Sequence, residues 1–175
     1  MKRFKFDPKA LKNRNDLVRE AHFQFEQKRI RKTYLALCEG ELSQPQTIDA
    51  PLLRIGPISF GVRDGGKRAV THVTPLSWSA AGSLVSVHLE TGRTHQIRVH
   101  LAAIGHPLVG DWLYGQRNSG RPMLHSAELD MTHPATNTPL RVSAPPPEDF
   151  LAAAGTLGVV MVRGQSDSGR DQLNH

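Results

Sequence analysis

A predicted strand, turn and helix in the middle of the chain constrain its fold most strongly. Residues 84–89 alternate apolar and polar side chains, which predicts a strand that is buried on one face. Residues 91–92, Thr-Gly, break this strand, and apolar residues then recur at helical spacing, at Ile97, Leu101 and Ile104. A Gly and a Pro just beyond them predict the end of the helix. Because titratable side chains crowd the turn and the first helical turns, we expect a functional site there.

Arg98 lies at the margin of the predicted apolar stripe. At about 100° per residue it falls about 100° from Ile97, whereas His95, Gln96 and Val99 point away from the stripe. A guanidinium that is partly desolvated at such a margin needs a carboxylate or a phosphate, because an unpaired buried charge costs several kcal/mol. The alternative is an arginine whose stem lies on the core and whose charged end reaches water. The spacing alone leaves both interpretations open.

The rest of the chain predicts short strands, with helices at the start, middle and end. The predicted elements are a helix over residues 8–28, strands over 31–39, 69–78, 84–90, 124–131 and 139–143, and a last helix from 145 to 155. This order is typical of an α+β domain with a mostly antiparallel mixed sheet and flanking helices. We expect one domain over residues 1–155 and a polar, disordered tail over residues 156–175.

Basic residues are concentrated at the start of the chain. The net charge is +6, and residues 1–32 hold eleven Lys or Arg against four Asp or Glu. Leu11, Val18 and Phe25 recur at heptad spacing, so the first predicted helix has one apolar side and one basic side. A basic face of this kind either contacts the phosphates of a polyanion or is an ordinary solvated face.

Two further features bear on the cellular compartment. No apolar run is long enough to span a membrane, and no secretory signal follows the N-terminal charges. Cys38 is the only cysteine, which excludes an internal disulfide and fits a reducing compartment. We therefore expect a cytoplasmic protein with no membrane partner.

Residues 91–101 read Thr-Gly-Arg-Thr-His-Gln-Ile-Arg-Val-His-Leu, which resembles the long signature of the RluA-type family of RNA pseudouridine synthases. Residues 32–40 and 105–115 resemble the same family in the same order, and a weaker match runs over residues 124–150. The resemblance covers roughly residues 5–152. It implies the catalytic-domain fold of these enzymes, an RNA substrate that is ribosomal or transfer RNA, and a reaction that needs neither a cofactor nor a metal.

The resemblance also assigns site residues. Tyr34 matches the tyrosine that lines the uridine pocket, although a core tyrosine with a satisfied hydroxyl is the structural alternative. Arg98 matches the arginine that keeps the catalytic carboxylate ionised and aligned. The residues expected to contact RNA are Lys32, Lys67, Arg68, Arg93, Thr94 and His95. Lys67 and Arg68 follow a Gly-Gly turn, which is either an RNA-contacting loop or an ordinary hairpin end.

One part of the family pattern does not occur in this sequence. The family's catalytic carboxylate is an Asp in an Arg-Leu-Asp-x-x-Thr-Ser-Gly motif, and none of the nine aspartates here has that context. In the family this motif lies a few residues upstream of the segment that matches residues 7–11. The sequence therefore predicts an N-terminally truncated catalytic domain without the first strands of its sheet. It also predicts that the acidic partner of the Arg98 guanidinium is not encoded in this polypeptide.

Three functions remain open from the sequence. The first is RNA uridine isomerisation by an enzyme whose N-terminal half is lost, is left out of this sequence by a wrongly assigned start, or is supplied in trans by another chain. The second is a catalytically inactive RNA-binding remnant of such an enzyme. The third is a metal-dependent hydrolase, but His95 and His100 are five residues apart and miss the i, i+4 spacing of two ligands on one helical face. We expect the chain alone to bind structured RNA and to form no pseudouridine.

Overall fold

The computed structural model describes residues 13–27, 29–115 and 120–161 of the chain. In order, these residues form α1 (Arg14–Glu26), β1 (Arg31–Glu39), β2 (Gln46–Asp49), β3 (Leu52–Arg54), β4 (Phe60–Val62), β5 (Val70–Trp78), β6 (Gly82–Leu89), α2 (Gln96–Ala103), β7 (Leu124–Thr132), β8 (Pro139–Ser143) and α3 (Glu148–Thr156). The predicted α+β class is confirmed, and each predicted strand is present within one or two residues of its expected bounds.

Six of these strands form one sheet in the order β2-β5-β6-β1-β7-β8, and each neighbouring pair is antiparallel. The predicted hairpin of β5 and β6 leads directly into the turn before α2. Strands β3 and β4 form a separate two-stranded sheet. The Gly-Gly turn before Lys67 therefore joins β4 to β5, which belong to different sheets, and it does not close a hairpin.

The strand alternation of β1 divides the core between two faces of the sheet. Ala36 and Cys38 point to the face covered by α2, where they pack in one cluster with Leu101. Leu37 points to the opposite face and packs against Phe150 of α3. Fully burying a large apolar side chain of this kind contributes about 1.5–3 kcal/mol to folding. Helix α2 is thereby fixed to the sheet by apolar contacts on the side that carries the candidate site.

Helix α1 differs from its sequence prediction. Its described part ends at Glu26, and the predicted start at residues 7–8 and Leu11 lie outside the described residues. Val18, which belongs to the predicted apolar side, is 46% exposed. Among the α1 side chains that the structure describes, that of Gln24 is buried, and its oxygen accepts a hydrogen bond from the backbone N–H of Thr132 at 3.1 Å. A polar contact to β7, which heptad spacing cannot reveal, therefore orients this helix.

Helix α2 is buried on more sides than its apolar stripe indicated. Ile97 and Leu101 face the core as predicted, but Gln96 and Val99, which were expected to point elsewhere, are buried as well, and so is His100. The prediction of a single apolar stripe was wrong because the β3–β4 sheet packs against the other side of the helix, where Val99 contacts it. The N-terminal end of α2 therefore lies between two sheets.

The C-terminal part of the domain extends beyond its predicted limit. After α3, the hydroxyl of Ser79 donates a hydrogen bond to the carbonyl of Leu157 at 2.6 Å, and Val159 is buried. The expected boundary at residue 155 was therefore too early, and residues 162–175 lie outside the described residues. Over the part of the chain that the structure describes, none of the helices has the length and hydropathy to cross a membrane.

Candidate active site

Arg98 and Asp111 form a bidentate ion pair at the centre of the candidate site. The Nε atom of Arg98 donates to Oδ2 of Asp111, and Nη2 donates to Oδ1, both at 2.7 Å. The Arg98 side chain is 16% exposed and that of Asp111 is 0% exposed. The expectation that this polypeptide encodes no acid for Arg98 was therefore wrong. Asp111 follows α2 in a loop that folds back over the helix, so the acid is 13 residues away in sequence.

The pair keeps both groups ionised. Burial alone would raise the pKa of Asp111, but the hydrogen bonds from Arg98 and from the backbone N–H groups of Tyr114 and Leu113 outweigh it, so this pKa is lowered. The hydrogen bond to Asp111 raises the pKa of Arg98. At neutral pH the site therefore contains a fixed guanidinium and a fixed carboxylate.

Asp111 also builds the turn that contains it. Its Oδ1 atom accepts hydrogen bonds from the backbone N–H of Leu113 at 3.1 Å and of Tyr114 at 3.2 Å. The N–H of Gly115 donates to the carbonyl of Asp111 at 2.8 Å. Gly110 enters this turn at a φ of +76°, and a Cβ there would collide with the carbonyl of Arg121. Only glycine adopts this geometry without strain.

Tyr114 places an aromatic ring over the guanidinium. The Cζ atom of Arg98 lies 5.0 Å from the centre of the Tyr114 ring, a cation–π distance. The Tyr114 hydroxyl accepts a hydrogen bond from the backbone N–H of Phe60 at 3.0 Å and lies 2.8 Å from Nδ1 of His95. Since the N–H of Phe60 can only donate, the Tyr114 hydroxyl keeps its own proton free to donate to Nδ1 of His95.

His95 is held in an unusual conformation at the start of α2. Its backbone has a φ of 56° and a ψ of 18°, the left-handed region that non-glycine residues rarely adopt. Its ring makes edge contacts with Phe60 and Tyr114 at centroid distances of 5.8 and 5.6 Å. Burial and the nearby charge of Arg98 lower the pKa of His95. Strain of this kind persists only where surrounding contacts compensate for it, and such positions cluster at functional sites.

One edge of the Arg98 guanidinium remains open. Asp111 occupies Nε and Nη2, and Nη1 has no hydrogen-bond partner among the described residues. No buried side-chain nitrogen or oxygen in the described part of the chain lacks a partner, so Nη1 reaches accessible space. The guanidinium can therefore donate to a second anionic group without releasing Asp111.

Gln96 fixes the N-terminal end of α2 to the sheet. Its side-chain oxygen accepts from the hydroxyl of Thr91 at 2.8 Å and from the N–H of Arg93 at 3.0 Å. Its side-chain nitrogen donates to the carbonyl of Val70 at 2.9 Å and to the hydroxyl of Thr71 at 3.0 Å. The turn, the helix and β5 are thus joined by one fully paired amide, two residues before Arg98.

His100 extends this network on the next turn of α2. Its ring lies with Nε2 3.0 Å from the carbonyl of Ala50 and Nδ1 2.8 Å from the hydroxyl of Thr71. Because a carbonyl only accepts, Nε2 carries the proton, and Nδ1 accepts from Thr71. Burial lowers the pKa of His100, although the Ala50 carbonyl and Asp49 oppose this effect. A second proton on the ring would leave the Thr71 hydroxyl without an acceptor.

We expect this buried neutral histidine to make folding stability depend on pH. The folded-state pKa of His100 lies below the unfolded value of about 6.5, so the unfolded chain binds a proton that the folded chain does not. Stability is therefore lost as the pH falls through about 6.5, by up to about 1.4 kcal/mol between pH 7.5 and 5.5. Urea unfolding of the wild type and of His100→Gln at both pH values measures this difference. An unchanged pH dependence in His100→Gln would contradict the assignment.

Tyr34 lies in the middle of β1, opposite Val87 of β6 and Ser126 of β7. It packs, half-buried, against the core cluster that contains Ile97 and Leu101 of α2, and burial raises its pKa. Tyr34 is thus on the α2 face of the sheet. The alternation of β1 places Lys32 on the same face.

Two of the residues expected to contact RNA, Arg93 and Arg68, meet at the turn before α2. The Nε atom of Arg93 donates to the backbone carbonyl of Arg68 at 3.1 Å, and Thr94 and Lys67 are exposed beside them in the chain. The Arg68 side chain is exposed and pairs loosely with Asp49 at 3.3 Å. The turn therefore brings together residues that are some 25 positions apart in the sequence.

Asp111 and Tyr114 are site residues that sequence reasoning missed. Both lie in the family-like stretch 105–115, but nothing in their spacing shows that the loop returns to the helix. The usable signal was chemical, because a partly buried arginine requires an acid and Asp111 is the first acid after the helix. In the described residues, no three His, Cys, Asp or Glu side chains are grouped as ligands for a metal ion.

Comparison with known proteins gives a consistent family. Residues 12–103 match the family described as RNA pseudouridylate synthase. The chain is 44% identical over 134 residues to the uncharacterized RNA pseudouridine synthase YhcT of Bacillus subtilis, which covers 73% of this chain and 44% of that protein. It is 38% identical over 157 residues to ribosomal large subunit pseudouridine synthase D of Nitrosomonas europaea, covering 82% and 44%. The chain thus spans less than half the length of these curated relatives.

Solved structures agree with this comparison. Human RNA pseudouridylate synthase domain containing 1 superposes with a TM-score of 0.64 at 29% identity, covering 73% of this chain and 59% of that one. Human RNA pseudouridylate synthase domain containing 4 has a TM-score of 0.68 at 21% identity, covers 83% and 69%, and supports the fold alone. With the match over residues 12–103, these likenesses lead to one conclusion. The chain belongs to the RluA-type family of RNA pseudouridine synthases.

Proposed function

We propose that this chain forms the cation-bearing wall of an active site that converts uridine in RNA to pseudouridine. The observation that carries the proposal is the Arg98 guanidinium, which Asp111 holds by one edge while Nη1 stays open. The open edge suits the catalytic aspartate of the family, whose Arg-Leu-Asp motif does not occur in these 175 residues. In this proposal Asp111 positions the arginine, and the catalytic acid comes from a segment outside the sequence.

The reaction explains why a fixed cation is needed. The C1′–N1 bond breaks, the uracil turns, and C5 bonds to C1′, while C5 releases its proton and N1 gains one. An ionised carboxylate acts in this sequence as nucleophile or base. A guanidinium beside it lowers the carboxylate pKa and fixes its direction. Arg98 is suited to this role because its own position is fixed by the bidentate pair with Asp111.

The other proposed site residues bind and orient the RNA. Tyr34 forms part of the uridine pocket on the α2 face of the sheet, where its ring packs against the base. In this proposal Arg93, Arg68 and Lys67 contact phosphates near the turn before α2, and Thr94, His95 and Lys32 complete the RNA-contacting set. The relatives named for the large ribosomal subunit support ribosomal RNA as the substrate class. No cofactor takes part in the proposed reaction.

The proposal is tested with RNA that carries tritium at C5 of uracil, since forming the C5–C1′ bond releases this label to water. The protein is this chain fused behind a family N-terminal half that contains the Arg-Leu-Asp motif, with its fold verified by circular dichroism. We expect label release from the fusion and none from the 175-residue chain alone. A folded fusion that binds RNA but releases no label would favour the inactive RNA-binding remnant instead.

We expect the 175-residue chain to bind RNA in a salt-sensitive manner. Each lost phosphate contact reduces the slope of log affinity against log salt by about 0.7–0.9. Arg93→Gln should therefore weaken binding and reduce this slope by about one contact. Arg141→Gln is the matched control, since Arg141 lies on the edge strand β8 and pairs with Asp130 at 2.6 Å. Fluorescence anisotropy over a salt series measures both, and equal slopes for the two variants would contradict the assigned surface.

A further inference from the structure

Trp112 is a large aromatic side chain that the proposed mechanism does not use. It directly follows Asp111 in the turn of the candidate site, and it is 53% exposed. An indole that is half exposed loses part of the favourable free energy that burying a tryptophan side chain usually contributes. A single exposed apolar residue is common on protein surfaces. A functional role for Trp112 must therefore be argued from the residues around it.

The turn presents Trp112 on a fixed backbone. The carboxylate of Asp111 accepts the N–H groups of the two residues that follow the tryptophan, Leu113 and Tyr114. The carbonyl of Asp111 accepts the N–H of Gly115, and Arg98 holds the carboxylate from the other side. The backbone on both sides of Trp112 is therefore fixed before any ligand arrives. Such preorganisation reduces the entropy that binding costs.

A guanidinium and two rings make contacts at this turn, those of Arg98, Tyr114 and His95. Arg98, whose guanidinium has one open edge, pairs with Asp111. The Tyr114 ring lies over that guanidinium. Arg93 and His95 lie just before the same helix. Exposed aromatic rings combined with a basic surface are typical of sites that bind unpaired nucleotides, because every base has a face on which a ring can stack.

We propose that Trp112 stacks on an unpaired base of the substrate RNA that lies next to the target uridine. This inference depends on the proposed function, since extracting a uridine leaves its neighbour unstacked and a ring beside the site replaces the lost partner. Trp112 would thus select RNA in which the uridine lies in a loop, and it would do so by stacking without reading the identity of the base.

Trp78 provides a matched control. The chain contains two tryptophans, and Trp78 is 48% exposed, close to the value for Trp112. Trp78 lies at the far end of β5 from Thr71, where α2 docks. Trp78 is seven positions from Thr71 along β5, so these two residues lie up to about 23 Å apart at 3.3 Å per residue. If exposure alone mattered, substituting either tryptophan would change RNA affinity equally. A larger effect at Trp112 would therefore reflect its position at the candidate site.

The experiment uses an RNA hairpin with one uridine in its unpaired loop and the 175-residue chain. In Trp78→Phe, Trp112 is the only tryptophan, and we expect its fluorescence to be quenched as RNA binds. Removing the base beside the uridine should abolish most of the quenching. Trp112→Leu should weaken binding by about 5- to 150-fold, equivalent to about 1–3 kcal/mol of stacking. Trp112→Phe should retain most of the affinity, and Trp78→Leu should retain all of it.

The outcomes separate this inference from the proposed function. Wild-type affinity in a folded Trp112→Leu, or unchanged Trp112 fluorescence at saturating RNA, would overturn the stacking role while RNA binding stands. Loss of affinity in Trp78→Leu equal to that in Trp112→Leu would likewise overturn it. If the wild-type chain fails to bind the hairpin at all, both the stacking role and the RNA-binding part of the proposed function are wrong.

Discussion

Replacing Asp111 by Asn is expected to lower the free energy of unfolding by about 3 kcal/mol. Removing one partner of a buried ion pair costs about 3–5 kcal/mol, because the remaining charge is left desolvated and unpaired. Arg98 retains slight solvent access, which places the expected loss at the lower end of that range. The change also replaces the acceptor on which the Leu113 and Tyr114 N–H groups depend. Urea unfolding of the 175-residue chain at pH 7 measures the difference.

Asp149→Asn is a control of matched geometry. Asp149 forms a bidentate pair with Arg121 at 2.7 and 2.8 Å, almost the same distances as in the Asp111 pair. The side chains of Arg121 and Asp149 are 43% and 50% exposed, so water replaces the lost contact. We expect a far smaller change in stability than for Asp111→Asn. Equal losses in the two variants would show that burial does not set the importance of the Asp111 pair.

Arg98→Lys is expected to reduce turnover of the fused enzyme by about 100-fold or more, with little change in RNA affinity. A single preorganised donor at a reacting centre contributes about 10²–10³ in rate. Lysine keeps the charge, but its ammonium cannot reproduce the planar bidentate pair with Asp111 and also donate from the position of Nη1. Single-turnover tritium release at saturating enzyme measures the rate, after circular dichroism has verified the fold.

Arg93→Gln is the contrasting variant for this prediction. Arg93 is exposed at the turn before α2 and hydrogen-bonds a backbone carbonyl, so its loss leaves the buried pair intact. We expect weaker RNA binding in Arg93→Gln and an unchanged rate once RNA saturates the enzyme. If Arg98→Lys lost affinity and rate by the same factor, Arg98 would be a binding residue, and its proposed role beside the catalytic acid would fail.

Local patterns predicted the elements of this fold well. The alternation over residues 85–88 and the Thr-Gly break after it predicted a strand and its end, although Leu84 and Val85 are both buried, on opposite faces of the sheet. The spacing of Ile97 and Leu101 found α2 and its core-facing side. These signals are contained within about ten consecutive residues, so they need no knowledge of distant contacts.

The site's polar contacts could not be predicted in the same way. Arg98 contacts Asp111 in the loop after α2, and Gln96 contacts Thr71, which is 25 positions away in the sequence. A periodic pattern of apolar residues gives no information about contacts over such sequence separations. Gln24 was hidden for the same reason, since its contact with Thr132 spans 108 positions. Each is a polar group whose burial depends on one long-range partner. The sequence indicated that Arg98 needed an acid, and only the fold identifies which acid.

The central claim is that Arg98 holds Asp111 by one edge and presents Nη1 to a second carboxylate. A crystal structure of the fused enzyme tests this claim most directly, through the distance from Nη1 of Arg98 to the carboxylate of the Arg-Leu-Asp motif. We predict a hydrogen-bond distance of about 2.7–3.0 Å, with the Asp111 pair unchanged. A motif carboxylate beyond reach of Nη1, or one that displaces Asp111 from the guanidinium, would contradict the account.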